Sequence, residues 1–288
     1  QQRRGVIDVR QSQRFRIPSP VRPLQRQRQL VGDVPLRTQS TSQAADQPDD
    51  LVMELAQAAS FPDHPLGRPI LGVEATLKSI TRDDLVAFAS KVYVPRRTVV
   101  SVAGNFDRAA VEAVARHWLE PRSGLAPQST LAPTLPKPHA ATVSRKLEQT
   151  HLVLAHPAPG ALSDDRFAAR IFAEIFGGGM ASRLFQDVRE SRGLAYSIDA
   201  SAEQYTDAGR ISVFAGCAPG DAMEVARITR DIWSDIAATG PTEAEMSRAR
   251  AVAAAGYAMA AEAPAARAGG AAYELLAFDK LIPIEEVL

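Results

Sequence analysis

An arginine and a tyrosine stand seven residues apart in the stretch GGGMASRLFQDVRESRGLAYSI, residues 177–198. A guanidinium offers a planar fork of five donors, and a phenol offers one hydroxyl. Brought to one cavity, Arg189 and Tyr196 would suit a peptide carbonyl, a carboxylate or a developing oxyanion. The same residue types allow a plainer role. Arg189 can pair with Asp187, Glu190 or the C-terminal carbonyls of its own helix, and Tyr196 can be a half-buried strand residue. Residue chemistry alone favours the plainer role.

Other chemistries find less support. The five histidines are 64, 117, 139, 151 and 156, and no two have the i, i+4 spacing of a helical zinc pair. His151 and His156 are five apart on an expected strand, so they face opposite sides. His64 sits in the proline loop FPDHPLGRPILG, where a structural hydrogen bond is expected, and His117 reads as a boundary residue. The single cysteine, Cys217, lies in the apolar run ISVFAGCAP and reads as a buried strand thiol. There is no nucleophile elbow. The three glycines lack the lysine of a phosphate-binding loop. The expectation is therefore no metal site and no catalytic residue in this chain.

The elements that position Arg189 and Tyr196 follow from local pattern. Gly177, Gly178 and Gly179 are expected to stop a helix ending at Phe176, because consecutive glycines are costly inside a helix. A second helix, 180–192, turns Leu184, Phe185 and Val188 inward, and Gly193 ends it. Upstream, Ser163 reads as the N-cap of SDDRFAARIFAEIF, with Phe167, Ile171 and Ile175 on one face. Downstream, 196–218 reads as a hairpin turning at YTDAG, with Ile211, Val213, Ala215 and Cys217 inward. Gly240 stops the next helix. Thr242 and Glu245 form a capping box for the one after, which Pro264 interrupts.

Nearer the N-terminus, helices are expected over PDDLVMELAQAAS, from the cap Thr81 to Pro95, and from the cap Asp107 through Trp118. TVVSVAGNF reads as a buried strand. Residues 1–43 are rich in Arg and Gln, with Asp8 and Asp33 the only acids, and read as a disordered or foreign leader. Residues 121–145 form a proline-rich linker between two folded units, 44–120 and 146–288. Strands and helices without strict alternation, together with one clear hairpin, indicate α+β.

Formal net charge is zero, and the arm lacks aromatic interleaving, so nucleic acid is not an expected partner. No segment is long and apolar enough to span a bilayer, which gives an expectation of a soluble protein. Cytoplasm, periplasm and mitochondrial matrix all fit.

The stretch at 177–198 resembles the second-domain signature of the pitrilysin/insulinase family of zinc metallopeptidases, which includes the mitochondrial processing peptidase. HPLGRPILGVEATLKSITRDDLVAFASKVYVPRRTVVSVAGNFD resembles the closing part of that family's first domain. The resemblance implies two domains, each a mostly antiparallel sheet packed with helices, which hold an extended peptide at a sheet edge. It implies that Arg189 and Tyr196 reach substrate at the zinc site, and that Gly177, Gly178 and Gly179 admit substrate.

The family's inverted His-x-x-Glu-His motif and its distant Glu ligand have no counterpart here, so zinc belongs to the intact family and no cofactor is expected in this chain. The expected reading is a partial metallopeptidase: its first domain is incomplete, its second is shortened, and it is inactive alone. The alternative is a non-catalytic subunit that recognises peptide or protein substrate for a zinc-bearing subunit, as a homo- or hetero-oligomer. The first-domain residues between 50 and 119 are then expected to leave apolar surface uncovered.

Overall fold

The structure, a computed structural model, describes residues 47–120 and 134–283. The expected leader at 1–43 and most of the proline-rich linker lie outside the described residues.

Two compact units form, and their boundary does not follow the chain order expected above. One contains residues 47–80 and 134–257; the other contains 81–120 and 258–281. Helix α1 (Pro48–Ser60), placed by sequence with the residues after it, packs instead on the sheet of the first of these units. Its seat is polar. Ser60 Oγ accepts from the buried Arg210, Gln57 donates to the Tyr205 hydroxyl at 2.8 Å, and Asp49 lies beside the His151 ring. A short helix, α2 (Glu74–Ser79), completes this N-terminal part.

The sheet of this unit has three antiparallel strands, β1 (Thr150–Ala158), β2 (Ala195–Gln204) and β3 (Gly209–Cys217), in the order β1-β3-β2. The central strand is the most buried one, with nearly every residue sealed from water on both faces. Ile211, Val213, Ala215 and Cys217 are buried on one face, as their alternation predicts. Burial pushes the Cys217 thiol pKa up, consistent with an inert core residue. His151 and His156 do face opposite sides: His151 lies beside Phe214, and His156 stacks on Trp233 with 4.7 Å between ring centroids.

Helices α5 (Arg166–Gly177), α6 (Ala222–Thr239) and α7 (Glu243–Glu262) belong to the same unit, α7 as far as Tyr257. Phe176, Leu184, Val188, Ile198, Val213, Val225 and Ile228 form the core between α5, α6 and the sheet. On α5 the residues buried against the sheet side are Ala169, Ala173 and Phe176, spaced as one helical stripe. Phe167, Ile171 and Ile175, expected on one face, do form a neighbouring stripe, of which Ile175 is buried and the other two are partly exposed. Asp165, rather than Ser163, occupies the N-cap position; Ser163 Oγ accepts from the Asp165 N–H and turns the chain into the helix. Gly240, at φ +74°, ends α6, and the Thr242/Glu245 capping box forms as expected.

The other unit contains α3 (Arg82–Val92), α4 (Arg108–Leu119) and α8 (Pro264–Phe278). Its caps are those expected: a Thr81/Asp84 capping box, and Asp107 accepting from two backbone N–H groups. Its expected strand does not form. Residues 98–103 carry no ladder among the described residues, although their β-branched composition suits one. A strand needs a neighbour to hydrogen-bond, and none is described beside it. The apolar faces are correspondingly open: Phe88, Val100, Phe106, Val114 and Trp118 are each about half-exposed.

Candidate functional site

The corner between α5 and β2 is shaped by two one-residue insertions. The helix expected over 180–192 is, over Phe185–Ser191, a π-helix. Its end carries the same extra residue: the Leu194 N–H reaches back six residues to the Val188 carbonyl at 2.9 Å, one further than a Schellman closure. Gly193 takes φ +64°, the left-handed conformation its position requires. The strand that follows has a bulge. Ala195 pairs with Cys217 and Ser197 with Gly216, which leaves Tyr196 as the extra residue.

These insertions decide what faces where. In the π segment Leu184 and Val188 are buried while Phe185, expected inward, is half-exposed. Arg189 is exposed. Its guanidinium lies 4.7 Å from the centre of the Phe185 ring, a cation–π contact. Asp187, one of its expected carboxylate partners, is taken by Arg192 at 2.8 Å. No carboxylate holds Arg189 among the described residues. On β2 the bulge lets Ala195 and Ile198 both reach the core although they are three apart, and it turns both Tyr196 and Ser197 outward. Tyr196 is 62% exposed, not half-buried. Arg189 and Tyr196 thus stand on either side of the helix-to-strand turn, both exposed, and no hydrogen bond joins them.

The glycines end the helix within one residue of the expected point, with Gly178 at its C-cap, and Gly177 does something more. Helix α5 continues through Gly177, and none of the three has a positive φ. A Cβ on Gly177 would come within 2.7 Å of both Ala200 Cβ and Ala200 N, so the absent side chain lets α5 press onto β2. A Cβ on Gly178 would strike the backbone of Glu174 at 2.6 Å. Gly179 has room.

Two residues that sequence reasoning passed over complete the corner. Arg183, in the same signature, is the anchored arginine: its Nε and Nη2 donate to the two carboxylate oxygens of Glu245 at 2.7 and 2.9 Å, and its Nη1 donates to Asp235 at 2.7 Å. The bidentate pair, with the Thr242 cap, holds the Glu245 carboxyl down to about 2. Arg183 therefore ties the segment after the glycines to α6 and α7. The only sequence signal for this was the cap position of Glu245. Asp199 follows Tyr196 and Ser197 on the outward face of β2, opposite Phe214 in register. Partial burial pushes its carboxyl pKa up.

No group of three or more His, Cys, Asp or Glu side chains is placed to hold a metal ion among the described residues. His64 Nδ1 accepts from the Leu66 N–H at 3.2 Å, the structural bond expected of that loop. These donors do not fit a catalytic zinc, which takes three protein ligands around one open position. No helix among the described residues is long and apolar enough to cross a membrane.

An α+β unit of helices packed on an antiparallel sheet has counterparts among known proteins. The family described as Peptidase M16 inactive domain matches residues 79–252, and the chain belongs to it. An uncharacterized zinc protease of Mycobacterium bovis is 38% identical over 210 residues, covering 71% of this chain and 48% of that protein. One from Rickettsia felis is 32% identical over 254 residues, covering 87% of this chain and 60% of that protein. The chain spans about half the length of the first of these relatives.

Among solved structures, a peptidase M16 inactive domain from Pseudomonas fluorescens superposes with a TM-score of 0.68 at 23% identity, covering 76% of this chain and 54% of that one. A chain of complex III2 from Candida albicans gives 0.73 at 18% identity, covering 87% of this chain and 62% of that one. Both share the fold.

Proposed function

We propose that this chain is the peptide-holding part of an M16-type zinc protease, and that it grips substrate without cutting it. The observation that carries the reading is the corner itself: Arg189 without a carboxylate partner among the described residues, and Tyr196 turned outward by the bulge. A cation free of internal neutralisation and a phenol at a strand start suit the carbonyls of an extended peptide. The outward strand face beside them, with Ser197 and Asp199, continues the same surface. Gly177 brings α5 against β2 and so fixes the corner, while Gly178 and Gly179 beyond the helix end supply the segment that would admit substrate.

Cleavage would need zinc and its water, which in this reading come from a part of the protein or a partner outside the residues described. The zinc-protease relatives support that arrangement. The second reading, a recognition subunit beside a zinc-bearing one, is favoured by the likeness to a chain of complex III2, itself an assembly.

The test is binding of an unstructured fluorescent peptide to the purified chain, with zinc measured on the same sample. Saturable binding is expected, weakened about tenfold by Arg189→Ala, which corresponds to about 1.4 kcal/mol. Tyr196→Phe should weaken it less. Stoichiometric zinc with chelator-sensitive cleavage would overturn the proposal, as would unchanged binding in both variants.

A further inference from the structure

Helix α5 has more apolar surface than the core uses. Ala169, Ala173 and Phe176 meet the sheet side, while Phe167, Ala168 and Ile171, with the buried Ile175 at their inner end, form a second stripe. That stripe looks toward the end of α6, at Ile236, and toward α7, at Met246 and Ala253. Helix α7 answers it poorly. Its sequence RARAVAAAGYAMAAE is mostly alanine, and Ala249 is its one residue buried among those described. Short side chains opposite Phe and Ile leave a gap, a cavity of about 560 Å³ within this one unit that opens to solvent on one side, where Arg250 is exposed. Such a volume lies in the range of small-molecule sites, roughly 300–1,000 Å³.

The lining has a single charged side chain, Arg250. The other arginines around it are engaged: Arg183 by Glu245 and Asp235, Arg227 by Glu224 and Asp231, Arg248 by the Ala181 carbonyl. Arg250 has no hydrogen-bond or carboxylate partner among the described residues. Positions three and four away along α7 are Met246, Ser247, Ala253 and Ala254, so no helix neighbour supplies an acid.

We propose that this cavity binds an aliphatic monocarboxylate, an unbranched acyl chain of the fatty-acid class. The tail would lie among Phe167, Ile171, Ile175, Ile236 and Met246, with the carboxylate on the Arg250 fork. Apolar walls take the tail because contact with them removes its apolar surface from water. A guanidinium matches a carboxylate in a two-bond geometry. A single guanidinium neutralises a single negative charge, which selects a monocarboxylate. The proposal stands apart from the peptide-binding corner, and Arg189→Ala should leave it untouched.

The experiment titrates laurate, below its micelle concentration, into the full chain by calorimetry, with dodecanol and a short peptide ending in Leu-Leu as comparisons. One laurate per chain is expected. Arg250→Gln should weaken laurate at least tenfold and leave dodecanol unchanged. Ala253→Trp, which fills the cavity, should abolish both without lowering the unfolding temperature. Should that variant unfold, Ala168→Phe fills the cavity from the opposite wall and carries the same expectation. Uptake without saturation, laurate affinity insensitive to Arg250→Gln, binding that survives cavity filling, or tighter binding of the Leu-Leu peptide would each overturn the assignment.

Discussion

Two segments of this chain, TVVSVAG at 98–104 and ISVFAGC at 211–217, have nearly the same composition and opposite fates. The second is the central strand of a sheet, paired on both edges, with alternate side chains sealed from water. The first runs without a ladder, and its Val100 and Val102 are 53% and 41% exposed. The helices beside them differ in the same way. Helix α5 buries five residues, whereas α3 and α4 bury none, although both have side-chain caps and α5 does not. Capping decides where a helix begins; burial comes from what lies opposite. The contrast teaches that local signals define the element and neighbours define its stability.

That contrast can be broken most directly by hydrogen exchange. Amides of Ile211–Cys217 should exchange only through global unfolding, while those of 98–104 should exchange on the order of a thousandfold faster. Equal protection would mean that the first segment has a partner in solution. A substitution pair comes next. Val213→Ala should cost roughly 2 kcal/mol in urea unfolding, as a cavity in a packed core does. Val102→Ala should stay within about 0.5 kcal/mol. Comparable costs would remove the distinction between the two regions.

Two smaller effects sharpen the picture of the sheet-bearing unit. Glu245→Gln should destabilise the chain by about 2 kcal/mol near neutral pH, because it leaves Arg183 with Asp235 alone. The Glu245 carboxyl is depressed from its ordinary value to about 2, so its contribution is complete above pH 4.5 and is lost as pH falls through 2. Stability of wild type and variant should therefore converge in that window, and a constant gap from pH 7 to pH 2 would contradict the pairing. Asp199 works in the opposite sense. Its pKa is raised, so its neutral form is the one folding favours, and that favour disappears as pH rises through the folded pKa. Asp199→Asn should raise stability at neutral pH, by under about 1 kcal/mol given its outward position. The gain should vanish in acid, and a loss at neutral pH would refute it.

How much of this was legible beforehand depends on range. Thr81, Asp107, Gly193, Gly240 and the Thr242/Glu245 box act within a few residues of themselves and were readable. The hairpin was readable because alternation and turn lie side by side in sequence. The strand at 98–104 was misjudged because its partner is not a local property. The inward assignment of Phe185 assumed 3.6 residues per turn, and a π segment does not keep that count. The glycines read as a break and end α5, but the contact of Gly177 with Ala200, 23 residues away, is one that no window shows. The docking of α1 on the sheet, through Ser60 and Arg210, spans 150 residues. Arg189 and Tyr196 stood out by type and spacing, while their exposure came from insertions that leave no residue signature.

Those insertions make the signature a counting device. An α-helix advances about 100° per residue, so deleting one residue from the π segment would return an ordinary helix and swing everything beyond it by that angle. Straightening the bulge with no residue lost would instead flip Tyr196 and its upstream neighbour to the other side of the sheet. The aim of Arg189 and Tyr196 is thus a matter of phase. The length of the stretch between Leu184 and Ile198 constrains it as tightly as the identity of the residues within it.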